Sequence, residues 1–361
     1  MKIPFIDLQA QYQAYKNEID QAIQKVLDSS QYIMGQEVKN LESNLSNYTG
    51  SKHAIACSSG TDALLIALMA MDIQPGDEVI TTPFTFISSA EVISLVGATP
   101  VFVDIDEKTY NIDSTKIEEK ITSKTKAIIP VSLYGQVADM DEINAIALKH
   151  NLIVIEDAAQ SFGATYKGKQ SCNLSHFGCT SFFPSKPLGA YGDGGALFTN
   201  DDTFAEKARM ILAHGSKVRY QHQVIGMNGR LDAIQAAILN VKLKYFSQEV
   251  MKREELAEIY IHLLKEKGLV LPHIKSDRTS VFAQFTVRST NREKVMKQLQ
   301  DNGIPTTIHY PIPAHLQECY EDLGHEVGDF PIAEGAAKEV FSLPMSAFIK
   351  SDQLKIICSF I

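Results

Sequence analysis

The chain has 361 residues, 45% of them hydrophobic and 21% charged, with 34 basic against 43 acidic side chains and a formal net charge of -9. This length can bury a large core and predicts two domains, and the ordinary composition excludes a disordered chain. The acidic balance, with no basic run or stripe, excludes nucleic acid as the main partner but leaves room for a small anion held by a few local donors.

The five cysteines, Cys57, Cys172, Cys179, Cys319 and Cys358, form no CxxC pair and lack zinc-site spacing. They are expected to be reduced thiols of a cytoplasmic protein, and no metal site is expected. The stretch from Met1 to Asp7 has no signal-peptide organisation, and no apolar run approaches a membrane span, so no membrane partner is expected.

The first helical signal runs from about Tyr12 to Leu27, with Ile19, Ile23, Val26 and Leu27 at helical spacing. Short apolar runs then alternate with amphipathic stretches. Strands are predicted at His53–Cys57, Glu78–Thr81, Thr99–Asp104, Ala127–Val131, Leu152–Glu156 and Cys179–Phe183, and helices at Thr61–Met71, Ala90–Val96 and Met140–Lys149. This alternation predicts an α/β fold with a mostly parallel sheet covered on both faces, and such sheets take ligands at the carboxyl ends of their strands. Long helices are predicted at Arg230–Phe246 and Lys252–Lys265. A strand at Ser280–Arg288, a helix at Arg292–Asn302 and an extended segment at Ile304–Pro313 follow. The expected division is a large domain over 1-246 and a smaller α+β domain over 247-361.

Lys186 stands alone among small and apolar residues, just before a bend carrying Gly189, Gly192, Gly194 and Gly195. A lysine attacks carbonyls only when unprotonated, and desolvation lowers its pKa, so this lysine is a candidate for Schiff-base chemistry. Asp157 falls at the end of the strand predicted over 152–156. It either caps a following helix or holds a pyridine nitrogen protonated, as a pyridoxal cofactor requires. Gln160 is placed to reach the same ligand. Ser58-Ser59-Gly60-Thr61-Asp62 is a small-residue turn into a helix, which serves as a cap or as a phosphate site, with Ser181 and Asn228 as further donors. Phe84 or Phe86 offers an aromatic face. Arg230, beside Asn228, suits a carboxylate or phosphate, and His309-Tyr310 lies in a rigid proline-flanked loop that is equally a surface turn. P-loop, dinucleotide-fingerprint, HExxH and GxSxG patterns are absent.

Taken in order, Ser59-Gly60-Thr61-Asp62-Ala63-Leu64, Pro83-Phe84-Thr85-Phe86, Glu156-Asp157-Ala158-Ala159-Gln160, Ser181-Phe182-Phe183-Pro184-Ser185-Lys186, Gly192-Asp193-Gly194-Gly195 and Asn228-Gly229-Arg230-Leu231-Asp232 resemble the DegT/StrS family of sugar aminotransferases. The resemblance covers the whole chain. It implies the type I fold of the aspartate aminotransferases and pyridoxal 5'-phosphate as cofactor. By the same resemblance Lys186 would bind the cofactor covalently and shuttle protons, Asp157 would pair with the pyridinium nitrogen, and Gln160 would lie near the ring hydroxyl. Gly60, Thr61 and Ser181 would hold the phosphate with Asn228 of the neighbouring subunit, and Phe86 would stack on the ring.

Lysine at 186, where a deoxygenating branch has histidine, favours amino transfer. Stretches such as Ser132-Leu133-Tyr134-Gly135-Gln136 and His309-Tyr310-Pro311-Ile312-Pro313 are shared with members that aminate uronic sugars. They imply transfer from L-glutamate to C3 of a UDP-linked 3-keto-2-acetamido uronic sugar in surface-polysaccharide synthesis, by a homodimer with shared sites. Arg230, His309 and Tyr310 are the expected substrate residues. The alternatives are a dTDP-linked 3-keto-6-deoxyhexose and a regulatory relative that binds the cofactor without transferring an amine.

Overall fold

The computed structural model describes residues 3–361 and centres on a seven-stranded sheet. Its strands are β1 (His53–Cys57), β2 (Glu78–Thr81), β3 (Thr99–Phe102), β4 (Thr125–Ile128), β5 (Ile153–Asp157), β6 (Phe177–Ser181) and β7 (Gly195–Thr199), arranged β1-β7-β6-β5-β4-β2-β3. Strands β3, β2, β4, β5 and β6 pair in parallel, and β7 pairs antiparallel with both β6 and β1. The expected mostly parallel sheet is thus present, with one strand running against the rest.

Both faces are covered, so the strands read as continuous apolar runs. Side chains alternate between the faces: Ala54 and Ala56 of β1 join one core, Ile55 and Cys57 the other. Around the sheet lie α1 (Leu8–Ser29), α2 (Gln36–Thr49), α3 (Gly60–Ala70), α4 (Ser88–Leu95), α5 (Met140–His150), α6 (Asp202–Ile211) and α7 (Ala233–Leu264).

Several boundaries move for identifiable reasons. Strand β4 ends before Pro130, which has no N–H to donate, although its carbonyl still accepts from Asp157 at 2.9 Å. Strand β6 ends at Ser181: Phe182 still donates to the Gly194 carbonyl at 2.7 Å, but its own carbonyl is taken by Ala190 at 2.7 Å. Of the strand expected at Ser280–Arg288, β8 keeps only Phe285–Arg288. Val281 donates instead to the Gly135 carbonyl at 3.1 Å, in a loop of the large sheet.

The two helices expected after residue 230 are one helix. In α7 the buried polar side chains Lys242, Glu249 and Arg253 interrupt the apolar stripe without interrupting the backbone. The expected boundary at 246 therefore falls inside a helix. Phe246 and Val250 pack into the large-sheet core, whereas Leu256, Ala257, Tyr260 and Leu264 pack into a second one. That core is built on the antiparallel pair of β8 and β9 (Val340–Leu343), with Leu299 of α8 (Arg292–Asp301) and Leu354 and Ile357 of α10 (Ser351–Ser359). Between them, α9 (Pro331–Glu339) packs through Ala333, Ala336 and Ala337 onto Phe102, Ile105 and Tyr110 of the large unit. Among the described residues no helix is long and apolar enough to cross a membrane, and no group of side chains has the composition of a metal site.

Candidate active site

A cavity of about 430 Å3 opens at the carboxyl ends of the central strands, where β5 delivers Asp157. Of the expected residues it gathers Gly60, Thr61, Phe86, Asp157, Gln160, Ser181, Lys186, His309 and Tyr310. Strand pleating separates the two neighbouring acids. Asp157 faces the cavity, while Glu156 is buried on the other side, accepting from Ser171 at 2.7 Å and the Cys172 N–H at 2.8 Å.

Asp157 does not cap a helix. Its Oδ2 accepts from the Ser89 hydroxyl at 2.7 Å and its Oδ1 from the Ala159 N–H at 3.1 Å. Burial pushes this carboxyl above its ordinary pKa, opposed by those two donors and by the charge of Lys186. Two donors and a nearby cation leave a buried carboxylate suited to hold a proton on a basic ring nitrogen.

The phosphate expectation rests on the start of α3. The Ser59 hydroxyl caps the helix by accepting from Asp62 at 3.0 Å, and the Ser59 carbonyl takes the Ala63 N–H. Among the described residues no protein acceptor takes the N–H groups of Gly60 or Thr61, both of which line the cavity at the positive end of the helix. Glycine is required here by close approach. A Cβ on Gly60 would stand 2.6 Å from Cβ of Ser181, and one on Gly195 would stand 2.3 Å from the Ser59 carbonyl oxygen. This brings α3, β6 and β7 together at a corner lined by small donors.

Lys186 follows β6 on a short loop. Its own N–H donates to the Phe183 carbonyl at 2.8 Å, and Ala190 returns to Phe182 at 2.7 Å. Burial lowers the amine's pKa, with Asp157 pulling the other way. A lysine so placed loses its proton more readily than a solvated one, which nucleophilic attack on an aldehyde requires.

The opposite wall comes from the C-terminal unit. Gln160 donates to the Tyr310 hydroxyl at 3.1 Å and accepts from the Tyr134 N–H at 2.8 Å, so both ends of its amide are fixed. Tyr134 donates to the His309 carbonyl. His309 Nδ1 and the Ser342 hydroxyl lie 2.9 Å apart, and burial, helped by Lys186, lowers this imidazole to about 4. It is therefore neutral at neutral pH. Phe86 is 54% exposed, its ring 6.0 Å from that of Tyr310. His309-Tyr310 is thus part of the cavity wall and not a surface turn.

Asn228 and Arg230 do not line the cavity of this chain; they bind each other, Arg230 Nε donating to Asn228 Oδ1 at 2.9 Å. Sequence reasoning missed Ser89, Tyr134, Asp193 and Gln284. Ser89 sits in the run after β2 already singled out for its phenylalanines. Tyr134 and Asp193 stood in motifs quoted for the resemblance but were given no role, and Gln284 carried no local signal. Asp193 and Gln284 line the cavity, and Tyr134 braces its wall through Gln160 and His309.

The residues present fit pyridoxal phosphate: a depressed lysine, a buried carboxylate, a helix terminus with free N–H groups and an aromatic face share one cavity. Residues 13–361 match the model of the DegT/DnrJ/EryC1/StrS aminotransferase family. The chain is 53% identical, over 99% of both chains, to a UDP-2-acetamido-2-deoxy-3-oxo-D-glucuronate aminotransferase of Pseudomonas aeruginosa. It is 45% identical, over 98% of this chain and 97% of the other, to a dTDP-3-amino-3,6-dideoxy-alpha-D-galactopyranose transaminase of Aneurinibacillus thermoaerophilus. The crystal structure of S. venezuelae DesV superposes with a TM-score of 0.98 at 39% identity, covering 99% of this chain and 97% of that one. NtdA from Bacillus subtilis, with bound cofactor PMP, gives 0.91 at 32% identity, covering 99% and 85%. By fold, by cavity chemistry and by a match over nearly its whole length, the chain belongs to the DegT/DnrJ/EryC1/StrS family of pyridoxal-phosphate-dependent aminotransferases.

Proposed function

We propose that the enzyme transfers the amino group of L-glutamate to C3 of a UDP-linked 3-keto-2-acetamido uronic sugar, a step in building bacterial surface polysaccharide such as lipopolysaccharide O-antigen. One observation carries the chemistry: Lys186 and Asp157 share a cavity in which the amine is depressed and the acid is buried. The sugar is supported by the 53% identity to the Pseudomonas aeruginosa enzyme.

Pyridoxal phosphate, when bound, supplies an electron sink for a carbanion at the carbon that loses or gains nitrogen. The chain does the rest. Gly60, Thr61 and Ser181 would hold the phosphate, Asp157 would keep a proton on the ring nitrogen, and Gln160 and Phe86 would contact the ring. Lys186 anchors the cofactor. Its Nζ would be the base that removes the α-proton of glutamate and the acid that returns a proton to C3 of the sugar. Tyr310, pushed above its ordinary pKa by burial, remains a neutral donor beside Gln160.

A uronate needs a cation, and among the described residues Lys186 is the one basic side chain lining the cavity besides the neutral His309. Arg230 of the partner subunit, carried beside Asn228, would supply it, with His309 and Tyr310 near the sugar nucleotide. This is our reason for a homodimer with shared sites. Phe86 and Phe183, 54% and 51% exposed at the cavity mouth, are apolar surface that a partner would cover. Five cysteines without a disulfide among them suit the cytoplasm. Turnover assays with a defined UDP-linked 3-keto uronic sugar and a dTDP-linked 3-keto-6-deoxyhexose test the substrate, and turnover of the dTDP compound alone overturns it. Retention of bound cofactor without turnover of either ketone would favour the regulatory alternative.

A further inference from the structure

Lys242 lies in the middle of α7 and is 1% exposed. A buried ammonium is expensive, and an apolar side chain of like length would serve folding at least as well. Among the described residues no carboxylate stands within ion-pair distance of it. Its Nζ instead donates to the Gly189 carbonyl at 2.7 Å and lies 4.2 Å from the centre of the Tyr191 ring.

Both contacts fall on the loop that carries Lys186. Gln235, two turns earlier on α7, grips the same segment, accepting from the Tyr191 N–H at 2.8 Å and donating to the Tyr191 carbonyl at 3.3 Å. The loop is closed on itself between Phe182 and Ala190. A Cβ on Gly189 would stand 2.4 Å from the Pro184 carbonyl oxygen, so movement at Gly189 is passed to the residues just before Lys186.

On the other side Lys242 faces a polar cluster. Glu249, two turns on, accepts from Gln11 of α1 at 2.9 Å, and Arg253 donates to the Phe282 carbonyl at 3.2 Å. Burial and the Glu249 carboxylate raise the Tyr15 phenol, burial raises Glu249 against hydrogen bonds from Tyr15 and Gln11, and the Tyr12 ring packs 6.0 Å from that of Tyr191. Burial lowers Lys242 to about 8, with Glu249 opposing.

We infer that Lys242 is a positioning residue for Lys186: it fixes the 189–191 segment to α7 and so sets where the Lys186 amine meets the cofactor. The inference rests on Lys186 being the lysine that binds pyridoxal phosphate. Borohydride reduction of the wild-type holoenzyme followed by peptide mass spectrometry checks that premise by itself.

The test mixes cofactor-free protein with pyridoxal phosphate, follows capture by absorbance, and measures hydrogen exchange over residues 183–191. Lys242→Met is expected to capture the cofactor about tenfold more slowly, as a misplaced reacting group does. Its exchange should rise in that segment alone, with an unchanged or higher melting temperature. Lys242→Arg, which keeps a cationic donor, should recover most of the rate. Tyr191→Leu, which keeps the ammonium but removes its π face, should fall between, and it decides the matter if Lys242→Met does not fold. Trapping at Lys186 in the wild type with wild-type capture and exchange in the variant overturns the inference. So does a slowing that only tracks a loss of global stability. Trapping at another lysine overturns the premise instead.

Discussion

The Ser89 hydroxyl donates to Oδ2 of Asp157 at 2.7 Å, across the start of α4 and the end of β5. This bond holds the ionised form of a carboxyl that burial pushes toward protonation. Removing it costs about 1.5–3 kcal/mol, the range for hydrogen bonds to charged groups. Ser89→Ala should therefore bind pyridoxal phosphate about tenfold or more weakly. The acid limb of its rate profile should move to higher pH, since a protonated Asp157 cannot hold the ring nitrogen's proton by charge. Cofactor titration and a pH profile of kcat check this; an unmoved acid limb would remove Asp157 from the assigned role.

Gly60→Ala tests the phosphate corner. Its Cβ would need room now taken by Ser181, 2.6 Å away, and overpacking of this kind costs about 1–3 kcal/mol. The expected result is a rise in the cofactor's dissociation constant larger than any change in melting temperature of the cofactor-free protein. Equilibrium dialysis and thermal melts report the two.

His309 makes stability pH-dependent. Its folded pKa of about 4 lies below the ordinary 6.5, so on acidification the unfolded chain takes the proton first. Stability is complete above 6.5 and is lost as pH falls toward 4. Partial solvent screening leaves about 2 kcal/mol from this group. Cofactor-free His309→Gln should show a shallower fall in melting temperature from pH 7 to 4 than the wild type.

Shared sites predict complementation. Lys186→Ala and Asn228→Ala proteins should each be inactive, yet dissociated and reassociated together at equal concentration they should regain about a quarter of wild-type activity. Half of the dimers are then hybrid, each with one intact site. Activity no greater than that of the parents would place Asn228 and Arg230 outside the site.

Much of this was legible in the sequence because the chemistry is local. Asp157 and Lys186 each follow a short apolar run and the turn at Gly60 opens a helix, so strand-end placement marked the edge and the family resemblance implied their meeting. What sequence could not show depends on distance along the chain. Ser89 reaches Asp157 across 68 residues and Tyr134 reaches His309 across 175. Helix α2, rich in asparagine, serine and glutamate, carries only Val38, Leu41 and Leu45 on its buried face with Thr49, a stripe too sparse to stand out. Lys242 and Glu249 concealed the continuity of α7, because charged side chains read as solvent-facing until their partners are visible.

Amino transfer to a keto carbon of a uronic sugar nucleotide can be followed with labelled nitrogen. Purified enzyme loaded with pyridoxal phosphate is incubated with 15N-glutamate and a UDP-linked 2-acetamido-3-keto-glucuronate, and the sugar product is analysed by mass spectrometry. The C3 oxygen should be replaced by labelled nitrogen in the wild type and not in Lys186→Ala. Labelled nitrogen appearing only in a dTDP-linked 6-deoxy sugar, or undiminished in Lys186→Ala, would contradict it.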